Sequence, residues 1–270
     1  MIGWHVYMIF ALAAMALWAI GAVAAFRHNE GCSRWSLWTT VAGIVVYAVF
    51  IGGLWTSLQR PPLRTLGETR LWYSLFMMVA ALIVYIRWRY RWIQLFSLIV
   101  AAVFICINIL NPEIHDQSLM PALQSAWFVP HVTVYIFSYS VFGCAFLLAV
   151  GGLWRHSGKY LATTDQLVNI GMSLLTFGMI SGCIWAKQAW GSYWTWDPKE
   201  TWAAATWCDY LVYIHRRSGS KKASSCNDTL SYVILIFGFL LLQMCWWGVN
   251  LLPSASSSLH SYYLYFVNVE

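Results

Sequence analysis

The stretch Trp190-Gly191-Ser192-Tyr193-Trp194-Thr195-Trp196-Asp197-Pro198-Lys199-Glu200-Thr201-Trp202 sets four tryptophans within thirteen residues, between two apolar runs. A loop has no structural need of so much flat aromatic surface, and exposed apolar patches of this kind mark binding sites. The guest such a shelf suits is large, planar and apolar, a porphyrin above all. Asp197-Pro198-Lys199-Glu200 also reads as a helix start, with Asp197 as N-cap, Pro198 in the first turn and Glu200 as capping-box partner. Capping accounts for the two acids and not for the indoles. The plain alternative for Trp190, Trp194 and Trp196 is anchoring at a membrane interface. Trp190 and Trp194 are four apart, so one helical turn would set them on one face.

Seven histidines supply the other candidate chemistry: His5, His28, His115, His131, His156, His215 and His260. Imidazole is an axial ligand for haem iron. His131 follows Pro130 at the start of an apolar run, and His260 follows the last run. Position alone makes either an ordinary loop histidine. His215 stands beside Arg216 and Arg217, where a cationic cluster at a helix C-terminus is the plain reading, although an imidazole within a membrane is costly unless it has a function. His5 reads as interfacial or as an extra ligand. His115 lies near Glu113 and Asp116 and reads as solvated, and His28 and His156 sit in basic loops.

The elements that must position these groups are membrane helices. Of 270 residues 60% are hydrophobic and 10% charged, against about 25% charged in a soluble domain. Eight runs approach the length that crosses about 30 Å of hydrocarbon: Trp4–Phe26, Trp35–Trp55, Leu71–Ile86, Trp92–Leu110, Val129–Trp154, Leu167–Ala186, Pro198–His215 and Thr229–Val249. The expected fold is an all-α integral membrane protein, a bundle of about eight transmembrane helices forming a single domain over residues 1–270, with the tryptophan loop at about 185–202. Met1-Ile2-Gly3-Trp4-His5 lacks the basic segment of a cleaved signal peptide, so the first run reads as a retained span.

Charge orients the bundle. Eleven basic residues (Arg27, Arg34, Arg87, Arg89, Arg91, Arg155, Lys159, Arg216, Arg217, Lys221 and Lys222) fall in one set of connections. Five (Arg60, Arg64, Arg70, Lys187 and Lys199) fall in the other. The positive-inside rule places the richer set in the cytoplasm, leaving both termini and the tryptophan loop outside. Tryptophans are concentrated at the outer ends, beyond what an anchoring belt requires. The loop 218–228 reads as a solvated cytoplasmic turn. The net charge of +6 lies in short loops, without the basic-aromatic run of a nucleic-acid groove, so no nucleic-acid partner is expected. None of the seven cysteines forms a C-x-x-C pair, so the chain has no dithiol motif and no attachment site for a covalent haem of its own. Arg60, Arg64 and Arg70 are unusual outside and suit carboxylates, such as haem propionates, or lipid phosphates.

The segment from Trp185 to Trp207, with its W-G-x-x-W-x-W-D-P-K-E-T-W core, resembles the tryptophan-rich WWD signature of haem-handling membrane proteins, most closely the CcsA (ResC) type of cytochrome c biogenesis protein. Tyr213-Ile214-His215-Arg216, Pro130-His131 and Leu259-His260-Ser261-Tyr262 also resemble that family, and Arg60 to Tyr73 does so more weakly. The resemblance implies haem b as the cofactor, carried against Trp190, Trp194, Trp196 and Asp197. It implies His131 and His260 as axial ligands to the haem iron, and His215 as ligand of a second, inner haem site. It further implies a ResB/CcsB-like membrane partner, an apocytochrome c with a C-x-x-C-H motif as client, a thiol-reducing partner, and action as the CcsA component of a cytochrome c haem lyase. The setting it implies is a bacterial inner membrane with the site facing the periplasm, or a thylakoid membrane. A CcmC-like haem chaperone loading a carrier is the nearest rival; a transporter coupled through an acid such as Asp209 and a permanent-haem electron carrier are rivals from other classes.

Overall fold

The computed structural model describes residues 2–27, 33–111, 125–219, 229–254 and 258–260. His28, His115, Cys32, Cys226 and residues 220–228 of the expected cytoplasmic turn lie outside them. Among the described residues eight α-helices follow in order: α1 (Tyr7–Arg27), α2 (Arg34–Leu58), α3 (Leu66–Trp88), α4 (Arg91–Leu110), α5 (Phe128–Trp154), α6 (Leu161–Trp190), α7 (Pro198–Gly219) and α8 (Thr229–Trp246). No strand occurs among the described residues. Seven of the helices are long and apolar enough to cross a membrane. The exception is α7, which carries Lys199, Glu200, Asp209, Arg216 and Arg217. The protein is an all-α integral membrane protein, as its sequence predicts.

The chain divides into two compact units, Met1–Leu119 and Met120–Glu270. In the first, α1 packs on α2 and α4, and α3 packs on α4 and α2. Close approach of α1 and α2 depends on glycine: a Cβ on Gly43 would lie 2.6 Å from the Trp18 indole. Tyr7, Trp18, Tyr47 and Phe50 form its aromatic centre. Several buried polar groups there bond to one another, which lowers the cost of holding them in hydrocarbon. Tyr7 and Tyr47 share a 3.0 Å hydroxyl bond, and Gln94 Oε1 accepts from Ser36 and Thr40. The start of α3 is a capping box, with Thr65 and Glu68 each accepting the other's backbone N–H. Buried Glu68 also receives both guanidinium arms of Arg60, at 2.9 and 2.8 Å. Arg60 is thus paired with Glu68 within its own unit.

In the second unit α5 packs on α6, α6 on α7, α7 on α8 and α8 on α5. Thr164 meets Tyr213, Asp165 meets Arg217 and Thr176 meets Trp207. Thr164 and Asp165 near the start of α6 meet the last turns of α7 while Thr176 further on meets Trp207, so α7 runs antiparallel to α6. One end of this unit carries the basic residues: Arg217 bonds Asp165 at 2.8 Å, Arg216 bonds Ser231, and Tyr232 reaches the Ser157 carbonyl. The opposite end gathers the start of α5, the end of α6, the start of α7 and the segment after α8.

Candidate functional site

His131 lies in the first turn of α5, where Pro130, without an N–H, breaks no helical bond. Its Nδ1 is 2.9 Å from the carbonyl of Gly178 on α6. A carbonyl only accepts, so Nδ1 carries the hydrogen and the neutral ring keeps its lone pair on Nε2. Two glycines one turn apart make room for this. A Cβ on Gly178 would collide with the Tyr135 ring, and one on Gly182 would lie 2.7 Å from His131 itself. The imidazole stacks on Trp185 at 5.5 Å and 20°, with Tyr135 4.7 Å away on α5.

Helix α6 ends at Gly191, whose φ of +84° suits a residue without a side chain. The loop that follows is held from both sides. Lys187 Nζ bonds the Gly191 carbonyl at 2.8 Å and sits over the Tyr193 ring. Glu200 Oε2 accepts from the Thr195 and Asp197 backbone N–H groups. Asp197 Oδ1 accepts the Lys199 N–H at 2.9 Å, so the expected cap and its reciprocal acid are both in place.

The same Asp197 carboxylate does more than cap. Oδ1 also meets His260 Nδ1 at 3.0 Å and receives the Ser258 hydroxyl at 3.0 Å, while Oδ2 receives the Leu259 N–H at 2.6 Å. Lys199 Nζ bonds the His260 carbonyl at 3.1 Å. Burial pushes the Asp197 carboxyl upward, but His260, the Lys199 N–H and Ser258 outweigh it and hold it down at about 2. It is therefore ionised at neutral pH. Facing a carboxylate, Nδ1 of His260 is the donor, as in His131. The His260 ring stands edge-on to Trp185 at 5.4 Å and to Trp190 at 4.9 Å. The two imidazoles thus border one indole, that of Trp185, which is 1% exposed.

The other expected residues are placed differently. Trp190 closes α6 and touches Trp185 at 4.8 Å, but Trp194 belongs to the irregular loop. Gly191 breaks the helix between them, so they do not share a helical face. Trp194 pairs edge-on with Trp196 at 5.7 Å. Trp196 is 69% exposed and has φ +58°, a strained value for a tryptophan. The indole nitrogens of Trp190 and Trp194 are buried and have no hydrogen-bond partner among the described residues. His215 lies at the far end of α7, exposed, with Nδ1 bonded to the Leu211 carbonyl at 2.8 Å. That is about 27 Å along the helix from Asp197 at 1.5 Å per residue. His5 belongs to the first unit and is exposed. Sequence reasoning missed Gly178, Gly182, Lys199 and Ser258 and did not rank Trp185 as a site residue. A Gly-x-x-x-Gly spacing at 178–182 was the available signal for the recess.

The sequence model of the family described as "Cytochrome C assembly protein" matches residues 63–256. The chain is 30% identical over 264 residues to the cytochrome c biogenesis protein CcsA of Cuscuta exaltata, covering 82% of this chain and 83% of that one. Against the protein of the same name from Atropa belladonna it is 32% identical over 281 residues, covering 82% and 84%. Against that of Chlamydomonas reinhardtii it is 38% identical over 162 residues, covering 53% and 42%.

Proposed function

The chain belongs to the Cytochrome C assembly protein family, and we propose that within it this protein presents haem b at the outer membrane face for covalent attachment to an apocytochrome c. Membership gives it a place in cytochrome c biogenesis, hence in haem handling. The finer reading is that His131 and His260 ligate the iron of the cargo haem while Trp190, Trp194 and Trp196 shelter the macrocycle. The observation that carries it is the state of the two imidazoles. Each has Nδ1 tied to an acceptor, as metal-ligating histidines do, and both lie against Trp185. The donor set fits an iron already held by four porphyrin nitrogens. Among the described residues no three His, Cys, Asp or Glu side chains converge as a site for a bare ion. The buried, unpartnered N–H groups of Trp190 and Trp194 suit a guest whose rim carries acceptors.

His131 and His260 orient the cargo and keep water from it, and the tryptophan loop supplies an apolar wall. The bond-forming step belongs to the client: each C-x-x-C-H thiol adds across one haem vinyl group, a carbon–sulfur bond forms, and the thiol hydrogen passes to the neighbouring carbon. A ResB/CcsB-like protein is the proposed membrane partner, a thiol reductant keeps the client cysteines free, and His215 is the proposed ligand of an inner haem site. The basic end of the second unit faces the cytoplasm by the positive-inside rule, so the site faces the periplasm, or the lumen in a thylakoid.

Protein purified with its partner from haem-replete cells is expected to show a six-coordinate low-spin haem spectrum. His131→Gly and His260→Gly are each expected to lose it and to regain it with added imidazole. Colourless preparations, or spectra indifferent to both substitutions, overturn the reading. Reconstitution with a ResB-like partner and an apocytochrome separates a synthase, which leaves haem covalently bound, from a chaperone, which does not.

A further inference from the structure

We infer that Asp197 is a positioning residue that makes the two haem ligands unequal, so that His260 holds the cargo while His131 is given up when the client's own histidine arrives. This rests on the reading of His131 and His260 as axial ligands.

The two imidazoles are oriented by acceptors of different strength. His131 Nδ1 donates to a neutral peptide carbonyl, that of Gly178, at 2.9 Å. His260 Nδ1 donates to the Asp197 carboxylate at 3.0 Å, in a residue only 5% exposed. Hydrogen bonds to an ionised acceptor are roughly twice as strong as those between neutral groups. A carboxylate behind a ligating imidazole draws Nδ1–H toward itself and makes Nε2 the better electron donor. The iron bond through His260 is therefore the stronger one.

The segment that carries His260 is also held to the same carboxylate. Asp197 receives the Ser258 hydroxyl and the Leu259 N–H as well as the His260 ring, and Lys199 holds the His260 carbonyl. Residues 258–260 are thus tied side chain and main chain to the first turn of α7. The His131 ring has one hydrogen bond, to a neutral carbonyl, and its contacts with Trp185 and Tyr135 are between rings. Exchange at His131 balances simply. Its Nε2 lone pair leaves the iron, the client imidazole donates one in its place, and neither electrons nor protons transfer. The face opened to the client is that of His131.

The decisive variant is Asp197→Asn. Asparagine is an equally good N-cap and its carbonyl in the Oδ1 position still accepts from Ser258 and His260 Nδ1, so the substitution removes the charge together with the one bond from the Leu259 N–H; a His131→Gly, Asp197→Asn protein in which His260 still supports the haem spectrum reports on the charge. The assay is the rate of haem loss to a haem-free globin scavenger, measured on the purified complex. In the His131→Gly background, where His260 is the remaining ligand, Asp197→Asn is expected to speed loss by about 10–100-fold. In the His260→Gly background it is expected to change the rate by less than about twofold. Equal acceleration in both backgrounds, or in neither, overturns the inference. A client peptide whose two cysteines are replaced by serine supplies the second measurement. It should bind the haem of His131→Gly at least tenfold more tightly than that of the unaltered protein, with no such gain for His260→Gly; the reverse order overturns the assignment of the departing ligand. Spectra unaffected by either histidine substitution defeat the ligand reading itself, and the inference with it, and are distinguishable because they appear before Asp197 is altered.

Discussion

Gly182→Ala tests the recess that positions His131. The new Cβ would lie 2.7 Å from Nδ1 and Cε1 of the imidazole, whereas ordinary contacts begin at 3.4 Å. The ring must therefore retreat by about 0.7 Å (3.4 less 2.7). Trp185 stacked against it and Gly178 bonded to it both resist. Overpacking of this kind costs about 1–3 kcal/mol, and the strained hydrogen bond about 0.5–1.5 kcal/mol more. Alanine in place of glycine returns about 1 kcal/mol of helix propensity. The net loss in stability is about 0.5–3.5 kcal/mol, small enough to leave a folded protein. Ligation is far less forgiving, because a site held to within about 0.5 Å of its working geometry does not survive the same shift. The expected result is normal expression and a modest loss of thermal stability in detergent, with the six-coordinate haem spectrum lost. Gly52→Ala is the control: nothing lies within 4 Å of its added Cβ, so the haem spectrum should remain unchanged while thermal stability holds or rises by about 1 kcal/mol. A Gly182→Ala protein with full haem content and an unaltered spectrum would refute the placement of His131 as ligand.

Three further outcomes follow from the contacts. Arg60→Ala strands Glu68, whose side chain is 1% exposed, and should cost about 3–5 kcal/mol in thermal denaturation; a loss under about 1 kcal/mol contradicts the bidentate bond. Asp165→Asn breaks a comparable pair with Arg217 in a more open setting, so the same assay should register only about 0.2–1 kcal/mol. Trp196→Gly removes a left-handed strain worth about 1–2 kcal/mol together with the exposed indole. Melting temperature should rise while haem retention falls, and a variant that gains both would show that the ring serves no guest.

The helices were legible because membrane spans advertise themselves by length and apolarity. All eight expected runs fall on helices, and the observed ones extend beyond several of the expected ends because polar residues continue them. Leu161–Trp190, for example, reaches past Leu167–Ala186. The capping role of Asp197 was legible for a similar reason, since it is local: residues 197–200 contain both partners. The long-range role was not. Contact between Asp197 and residues 258–260 spans 61–63 positions, and no local pattern encodes such a pairing. The recess around His131 was hidden because it is made by what Gly178 and Gly182 lack. Trp185, classed by sequence with the outer tryptophans, is instead the buried surface against which both imidazoles rest.

Helix α7 shows why composition alone misjudges a crossing. It fails the apolarity that the other described helices meet, yet it pairs with α6 from Thr176 to Asp165 and so accompanies that helix toward the basic end. Its charges are tolerable because of where they sit. Lys199 and Glu200 are spent on the loop and the His260 segment at one end, and Arg216 and Arg217 on Ser231 and Asp165 at the other. Asp209 is the acid left along its middle, and it faces α8 at Gly238, occupying the space a side chain there would fill. Polar residues within membrane helices are expected to turn toward the bundle. The low hydropathy of α7 is thus the consequence of one helix supplying the cap, the clamp on His260 and the basic anchor at its far end. An apolar helix in its place would span more readily and would hold none of them.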